Sequence, residues 1–395
     1  MRYSFSRLEL AGSLGDLGVI LPLAVGMIMI NGVNPQGLFL AMGLYYVASG
    51  VYFGVTTPVE PMKVIGSYAV AKALPAAMVY ASGLWMGILL LGIGLSGAMD
   101  KLVKYIPKPT IRGVQLTTGT LLMAEGARLI LGFSKFQVRH GAAEPFMAVQ
   151  SLLFVPMNWI LGLATLAATL LLLHNRRFPA GLVVVVCGLV VGLLLGSGAQ
   201  RLSLGLSLPS LLPAGFPETA SLWTALLTLS LPQLPMTLGN AVISNSDLAK
   251  EYFGNEASRT TNKALCISMG IANLGGFLLG GMPMCHGAGG LAAHYRFGAR
   301  TAGSNVFIGT VFVVLALLFG DSVLAAAQLL PMSVLGVLLL FSGSQLAIMI
   351  LDVKERNDLF VTLFVLGVAT ASNLALGFAV GIGLFYLLKN PRFSL

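Results

Sequence analysis

The chain has 395 residues, of which 56% are hydrophobic and only 9% charged, and its formal net charge is +9. A soluble domain carries about 25% charged residues, so a water-soluble globule of this composition could not cover its own surface. The positive excess fits the basic loops of a membrane protein, and no nucleic-acid partner is needed to explain it.

Charge-free runs at 161–173, 181–195 and 306–319 approach the length of a spanning helix. The 48 glycines and 18 prolines would weaken helices in water. Membrane helices tolerate both, because glycine lets helices approach closely and neighbours satisfy freed backbone groups. Cys187, Cys266 and Cys285 are odd in number and lack metal-ligand spacing. Neither a disulfide framework nor a metal site is expected, and nothing points to a cofactor. Arg2 and Arg7 precede an apolar stretch without a small-residue cleavage site, which reads as a retained helix rather than a signal peptide.

In chain order, fourteen segments are predicted: 14–31, 37–54, 58–73, 75–98, 108–131, 156–174, 178–196, 219–244, 262–281, 283–298, 303–320, 325–350, 357–371 and 373–389. With the N-terminus inside and strict alternation, the inner ends collect 17 basic residues. They are Arg2, Arg7, Lys101, Lys104, Lys108, Arg112, Arg176, Arg177, Lys250, Arg259, Lys263, Arg296, Arg300, Lys354, Arg356, Lys389 and Arg392. The outer ends collect 5, namely Lys72, Arg128, Lys135, Arg139 and Arg201, and Lys63 stays within the membrane. That split follows the positive-inside rule. It predicts a multi-pass protein of the cell (inner or plasma) membrane with both termini cytoplasmic.

An internal repeat is legible. Segment three begins Thr57-Pro58-Val59-Glu60-Pro61-Met62-Lys63 and segment ten begins Met282-Pro283-Met284-Cys285-His286-Gly287. Each is a proline-punctuated extended stretch entering a short helix. Segments five and twelve share a Pro…Gly-Val pattern, Pro109…Gly113-Val114 with Gly119 beyond, and Pro331…Gly336-Val337 with Gly343 beyond. Segments one and eight carry Pro22 and Pro232 at mid-helix. The offset is seven segments, an odd number, so the halves (1–200 and 215–395) are inverted relative to one another. Inverted repeats mark secondary transporters, with the site at the repeat interface near the midplane.

A helix that starts in mid-membrane leaves its first N–H groups without partners, and these groups with the helix dipole attract an anion. Segments three and ten supply two such ends. Pro61 suits a first helical turn, and Gly287, Gly289 and Gly290 leave the backbone bare for close approach. A tetrahedral anion is therefore expected between the two ends; the plainer alternative is a pair of re-entrant turns that only pack.

At this point the residues carry a family resemblance. Gly15-Asp16-Leu17-Gly18, Pro58-Val59-Glu60-Pro61-Met62-Lys63, Arg112-Gly113-Val114-Gln115-Leu116, Pro232-Gln233-Leu234-Pro235-Met236-Thr237-Leu238 and Met282–Leu291 with Tyr295–Arg300 run in order through nearly the whole chain. Together they resemble the molybdate transporter branch of the sulfate permease superfamily. The Pro283–Gly290 block is its most specific part. The resemblance implies an all-α polytopic fold of fourteen segments as a seven-plus-seven inverted repeat, shared with the uracil permeases. It implies a core domain within 10–98 and 219–320 moving against a gate domain within 105–200 and 325–390, and a cargo of molybdate, with sulfate as the near relative. Two departures stand out. Many sulfate permeases carry a C-terminal regulatory domain, whereas this chain ends six residues after the last segment, so regulation through such a domain is not expected. The family block commonly reads Pro-Val-Gln-Pro-Met-Lys, and this chain has Glu60 at the glutamine position. A carboxylate there repels an anion unless it is protonated or turned away.

The substrate-binding candidates are Pro61, Met62, Lys63, Gln233, Thr237, Asn240, Cys285, His286, Gly287, Ala288 and Gly289. Gln233, Thr237 and Asn240 share a face of segment eight and offer hydrogen bonds without fixed charge; the alternative is helix–helix bonding, worth ~0.6 kcal/mol on average in membranes. Cys285 reads foremost as a small packing residue. The proton-coupling candidates are Glu60, His286 and Asp16, since ionisable groups inside a membrane are costly and functional by default. Glu60 and Lys63 could instead pair, Asp16 could simply cap the first helix, and His286 could be structural. Glu125 and Arg128 form an expected helix-face pair, and Arg112 a topology anchor.

The expected partners are a molybdate or sulfate oxyanion, protons and the bilayer, with a homodimer allowed. Two rivals remain. A nucleobase permease of the same fold usually wants carboxylates that hydrogen-bond ring N–H groups, and segments eight and ten lack an acid at depth here; an anion channel would show flux that fails to saturate. An enzyme is not expected, for no nucleophile triad, metal cluster or phosphate loop appears.

Overall fold

The computed structural model describes residues 3–99, 105–172, 180–196, 205–320, 322–390 and 392–393. The expected inner-face residues Arg2, Lys101, Lys104, Arg176 and Arg177, the outer-face Arg201, and the ends of segments six and seven lie outside the described residues. Six helical stretches are long and apolar enough to cross a membrane by length and composition. Three further helices, Met157–Leu172, Ala180–Leu195 and Leu374–Leu388, are apolar but shorter.

Among the described residues, a helix occurs within each of the fourteen predicted segments. A short helix α1 (Arg7–Ser13) leads into α2 (Leu17–Asn31), and α3 (Pro35–Phe53) follows. Segment three is a two-residue strand β1 (Glu60–Pro61) and a ten-residue helix α4 (Lys63–Lys72). Next come α5 (Ala76–Ser96), α6 (Lys108–Leu131), a surface turn α7 (Lys135–His140), and a small hairpin of β2 (Ser151–Leu152) and β3 (Val155–Pro156). Segments six and seven are α8 (Met157–Leu172) and α9 (Ala180–Leu195).

The second half opens with α10 (Thr219–Ala257), then α11 (Asn262–Leu279). Segment ten repeats segment three as strand β4 (Met284–Cys285) and helix α12 (Ala288–Phe297). The chain continues through α13 (Ala302–Phe319), α14 (Ser322–Gln328), α15 (Met332–Ala347), α16 (Arg356–Ala371) and α17 (Leu374–Leu388).

Two segments differ from expectation for identifiable reasons. Segment eight is a single long helix whose turns widen to the π form at Leu226–Ser230 and Thr237–Ser244. Pro232 and Pro235 remove two donors from its ladder, and such insertions favour π turns. Segment twelve starts later than expected because Pro331 separates α14 from α15.

The packing obeys the inverted repeat. The strands of segments three and ten pair with each other, antiparallel, Glu60 opposite Cys285 and Pro61 opposite Met284. Segments five and twelve, α6 and α15, also meet each other, through reciprocal glycines. A Cβ at Gly119 would press on the carbonyl of Gly343 and one at Gly343 on that of Gly119; Gly126 and Gly336 relate in the same way. Segment two packs on eleven (α3 on α13) through Gly43 and Gly309, and segment nine on four (α11 on α5) through Gly270 and Gly87. Exchanging each segment for its partner seven places on maps these contacts onto one another. Small residues set these seams because lipid gives no hydrophobic drive between helices, and close backbone approach is the attraction available.

The α6–α15 seam is testable. Gly119→Leu overpacks it and lowers stability by about 1–3 kcal/mol, read as a fall in melting temperature of the purified protein. Gly92→Leu, at an exposed position of α5 with no atom within 4 Å of an added Cβ, leaves it unchanged; equal melting of the two variants would disprove the seam.

Candidate functional site

The two broken segments cross at their extended parts, so both half-helices begin beside the β1–β4 pair. The strands themselves are too short to satisfy their backbone. Met62 N–H donates to the Pro283 carbonyl at 2.9 Å, and Thr56 N–H to Arg300 O at 3.2 Å. Side-chain amides supply the rest. Asn273 of α11 brackets Met284, accepting its N–H at 2.9 Å and donating to its carbonyl at 2.8 Å. Asn305 of α13 brackets Thr57 in the same way, at 2.9 and 2.6 Å. Asn245 of α10 donates to the carbonyl of His286 at 2.8 Å.

His286 belongs to this scaffold. Its Nδ1 lies 2.7 Å from the Pro58 carbonyl, which can only accept, so Nδ1 carries a hydrogen. Its Nε2 meets the Tyr45 hydroxyl at 2.6 Å and Ser268 Oγ at 3.1 Å. A neutral imidazole is thus fully used in tying segment ten to segment three and to α3 and α11.

The two helix ends are dressed differently. Gln233 of α10 covers α4: its Oε1 accepts from Val64 N–H at 2.9 Å and Ile65 N–H at 3.3 Å, while its Nε2 donates to Thr237 Oγ1 at 2.9 Å. Gln233 and Thr237 therefore serve the helix end and each other. At α12, Gly287 is the N-cap and makes no side-chain cap. The N–H groups of Ala288, Gly289 and Gly290 have no partner among the described residues. The carboxylate of Glu60, only 1% exposed, lies against this end, where a Cβ on Gly287 or Gly290 would collide with it. Lys63 Nζ is 3.3 Å from Glu60 Oε2, and its side chain keeps 20% exposure, so it is the member of the pair that reaches solvent. A Cβ placed on Gly289 would stand 3.9 Å from Lys63 Nζ, and one on Gly287 would stand 3.7 Å from the Asn240 amide nitrogen.

The structure thus gathers Lys63, Asn240 and Glu60 around the α12 start formed by Gly287, Ala288 and Gly289, while Pro61 pairs with Met284 and Met62 stands at the start of α4. Cys285 is buried in β4 opposite Glu60. Asp16 departs from the capping expectation: it stands at the start of α2 but makes no side-chain cap bond. Instead its carboxylate accepts from the Tyr46 hydroxyl at 2.9 Å and lies 3.1 Å from His294 Nε2. The pairs Glu125–Arg128, at 3.1 Å, and Glu60–Lys63 both form, and Arg112 is engaged by Asp352 of the loop after α15. Asn245, Asn273, Asn305, Tyr45 and His294 were not anticipated; isolated amides in otherwise apolar segments were the available signal. A separate apolar crevice of ≈ 380 Å³ opens between α3 and α11, walled by Leu44, Tyr52 and Ile271. It touches the scaffold at Tyr45 and Ser268 but not the half-helix ends.

With this geometry in place, comparison with known proteins is informative. The family described as "Molybdate transporter of MFS superfamily" matches residues 8–122 and 225–346. The chain is 32% identical to "Molybdate transporter 2" of Arabidopsis thaliana over 96% of this chain and 87% of the relative. It is 29% identical to "Molybdate transporter 1" of Chlamydomonas reinhardtii over 95% and 90%. Among solved structures, the transmembrane domain of a cyanobacterium bicarbonate transporter BicA superposes with a TM-score of 0.66 at 19% identity, covering 97% of this chain and 98% of that one. The murine anion transporter Slc26a9 in its inward-facing state gives 0.68 at 13%, covering 100% and 70%. These structural likenesses establish the seven-plus-seven inverted-repeat fold.

Gln233→Leu leaves Val64 and Ile65 N–H groups buried without an acceptor and lowers stability by about 1–3 kcal/mol. Thermal unfolding measures this, and an unshifted transition would show that Gln233 does not hold the α4 end.

Proposed function

The chain belongs to the molybdate transporter family, and on that premise we propose that it is a secondary transporter carrying molybdate, with sulfate as the near competitor, across a cell membrane. One observation above others supports the reading: unpartnered N–H groups at Ala288–Gly290 and the Lys63 ammonium converge on one place in the middle of an apolar bundle. Amide dipoles at a helix start and one flexible cation replace water around a doubly negative oxyanion. Asn240 adds a neutral donor at the rim.

Glu60 gives the coupling. Without cargo it is the counter-ion of Lys63 and of the α12 end. An arriving dianion competes for both and meets a like charge. A proton on Glu60 removes that repulsion and turns the carboxylate into a donor, so anion and proton travel together. The moving core is α1–α5 with α10–α13, which slides as an elevator against a gate of α6–α9 with α14–α17. Both termini are cytoplasmic in this scheme, and the protein is a carrier, not an enzyme. Its fold also allows a homodimer.

The test is uptake by the protein in liposomes. Molybdate uptake saturates, is driven by an inward proton gradient and collapses with a protonophore; excess sulfate competes. Lys63→Ala removes a charge-assisted bond of about 1.5–3 kcal/mol, so affinity falls at least tenfold. Glu60→Gln weakens the dependence on the proton gradient. Flux that does not saturate would point to a channel, competition by uracil would point to a nucleobase permease, and an undiminished gradient dependence in Glu60→Gln would remove Glu60 from the coupling.

A further inference from the structure

The anion site is not the only place where the bundle buries ionisable groups. Asp16 and His294 are both fully buried, with Oδ1 and Nε2 3.1 Å apart. They join the start of α2 to the last turn of α12. Asp16 Oδ2 accepts from the Tyr46 hydroxyl at 2.9 Å, so the carboxylate is supported as an anion. On the far side of the imidazole, His294 Nδ1 is 2.8 Å from Thr56 Oγ1.

Thr56 is the informative member. Its hydroxyl accepts from Ser304 Oγ at 2.8 Å and has a second acceptor of its own in Asn305 Oδ1 at 3.3 Å. When the imidazole is neutral and keeps its hydrogen on Nε2, the Thr56 hydroxyl donates to Nδ1. When the imidazole is doubly protonated, the hydroxyl rotates to Asn305 and accepts from Nδ1–H. Either way the Nδ1 side is hydrogen-bonded without moving a heavy atom; on the other side Asp16 Oδ1 and His294 Nε2, 3.1 Å apart, make no aligned hydrogen bond and are left for an ion pair to satisfy. A fixed structural pair has no use for that second arrangement.

The surroundings are electrostatically sparse. Tyr46 of α3 lies within reach of both Asp16 and Glu60, and Lys63 of α4 lies within reach of Asp16. Glu9 of α1 is occupied by the N–H groups of Arg300 and Thr301. Arg296 and Arg300 beside α12, and Asp247, Lys250 and Glu251 on the turns of α10 that flank it, are exposed to solvent. The charges that a proton on the pair would feel are therefore those of the anion site.

We propose that Asp16 and His294 form a second proton-binding site, linked to the anion site and filled when the dianion binds. This rests on the reading of the protein as a carrier of a divalent oxyanion. Charge conservation supplies the argument. Empty, Lys63 (+1) and Glu60 (−1) cancel, and Asp16 beside neutral His294 leaves −1. A dianion alone would drive the buried charge to −3, which a low-dielectric interior resists. A proton on Glu60 recovers one unit, and a proton on His294 makes the Asp16 pair neutral and recovers the second. The sum is again −1, so the loaded and empty core carry the same charge through the membrane. By linkage, the anion raises proton affinity at the pair and the proton raises anion affinity at the site.

The experiment counts protons. Titration calorimetry of molybdate into the purified protein, repeated in buffers of different ionisation enthalpy, gives the protons taken up per anion bound. Wild type takes up two; His294→Gln and Glu60→Gln each take up one, and the double variant none. Asp16→Asn repeats the His294 result should His294→Gln fail to fold, which melting curves report. Undiminished uptake in a folded His294→Gln or Asp16→Asn overturns the proposal. Should wild type bind no molybdate, the transporter reading fails, and the pair is then judged in the anion-free protein. Infrared difference spectra across a pH titration with ring-labelled histidine show an imidazolium signal that His294→Gln removes. Identical spectra for wild type and variant overturn the site independently of any cargo.

Discussion

The whole arrangement depends on how two extended stretches survive inside hydrocarbon. A membrane interior offers no water to an unpaired N–H or C=O, and each broken segment exposes several such groups. Two-residue strands cannot satisfy them alone. The bundle answers with amides projected from neighbouring helices. Asn273 brackets Met284, Asn305 brackets Thr57, Asn245 holds the His286 carbonyl, and His286 holds that of Pro58. These four side chains replace the helical hydrogen bonds the breaks remove. Three of them come from α10, α11 and α13 and the fourth, His286, from the stretch between β4 and α12, so the half-helix ends are fixed by three neighbouring helices and by each other, and the site inherits rigidity that loops would not supply.

Symmetry of fold does not produce symmetry of site. The strands pair reciprocally, yet one helix start is closed by a neutral amide and the other faces a carboxylate. Gln233 takes the α4 donors, so that end is spent on structure. The α12 end has three glycine or alanine residues in its first turn and no covering cap. An inverted repeat offers two half-helix starts, and the side chains on α10 and β1 leave one of them uncapped. Glu60 then keeps the open end from standing uncompensated, since it balances Lys63 in an otherwise buried setting.

Much of this was legible from residue order alone. The fourteen segments, the seven-segment offset and the breaks at Pro58–Met62 and Pro283–Gly287 follow from hydropathy and proline placement, which report local conformation directly. The pairing of Glu60 with Lys63 is open as an alternative because two opposite charges stand close together at the break of segment three. What the sequence did not disclose depends on contacts between distant segments. Asp16 reads as a cap from its position before a helix, and only the approach of α12 and α3 gives it His294 and Tyr46 instead. Gln233 reads as a ligand because it shares a face with Asn240, and only the depth of α4 shows that the helix end reaches it first. The π turns around Pro232 and Pro235 shift that face further, a register change no regular period predicts.

A resident carboxylate also bears on selectivity. On the proposed reading the empty site is already occupied by an anion of the protein's own, tethered beside Lys63 and therefore present at high effective concentration. A monovalent ion offers the Lys63 ammonium and the α12 amides no more charge than Glu60 does, and gains little by replacing it. A tetrahedral dianion brings twice the charge and several acceptor oxygens for three N–H groups and an ammonium. Discrimination by valence then arises from competition with Glu60, without any wall of the cavity having to measure ionic size. The same competition makes anion binding and protonation of Glu60 two descriptions of one exchange, and this places selectivity and the first of the two coupled protons in a single side chain.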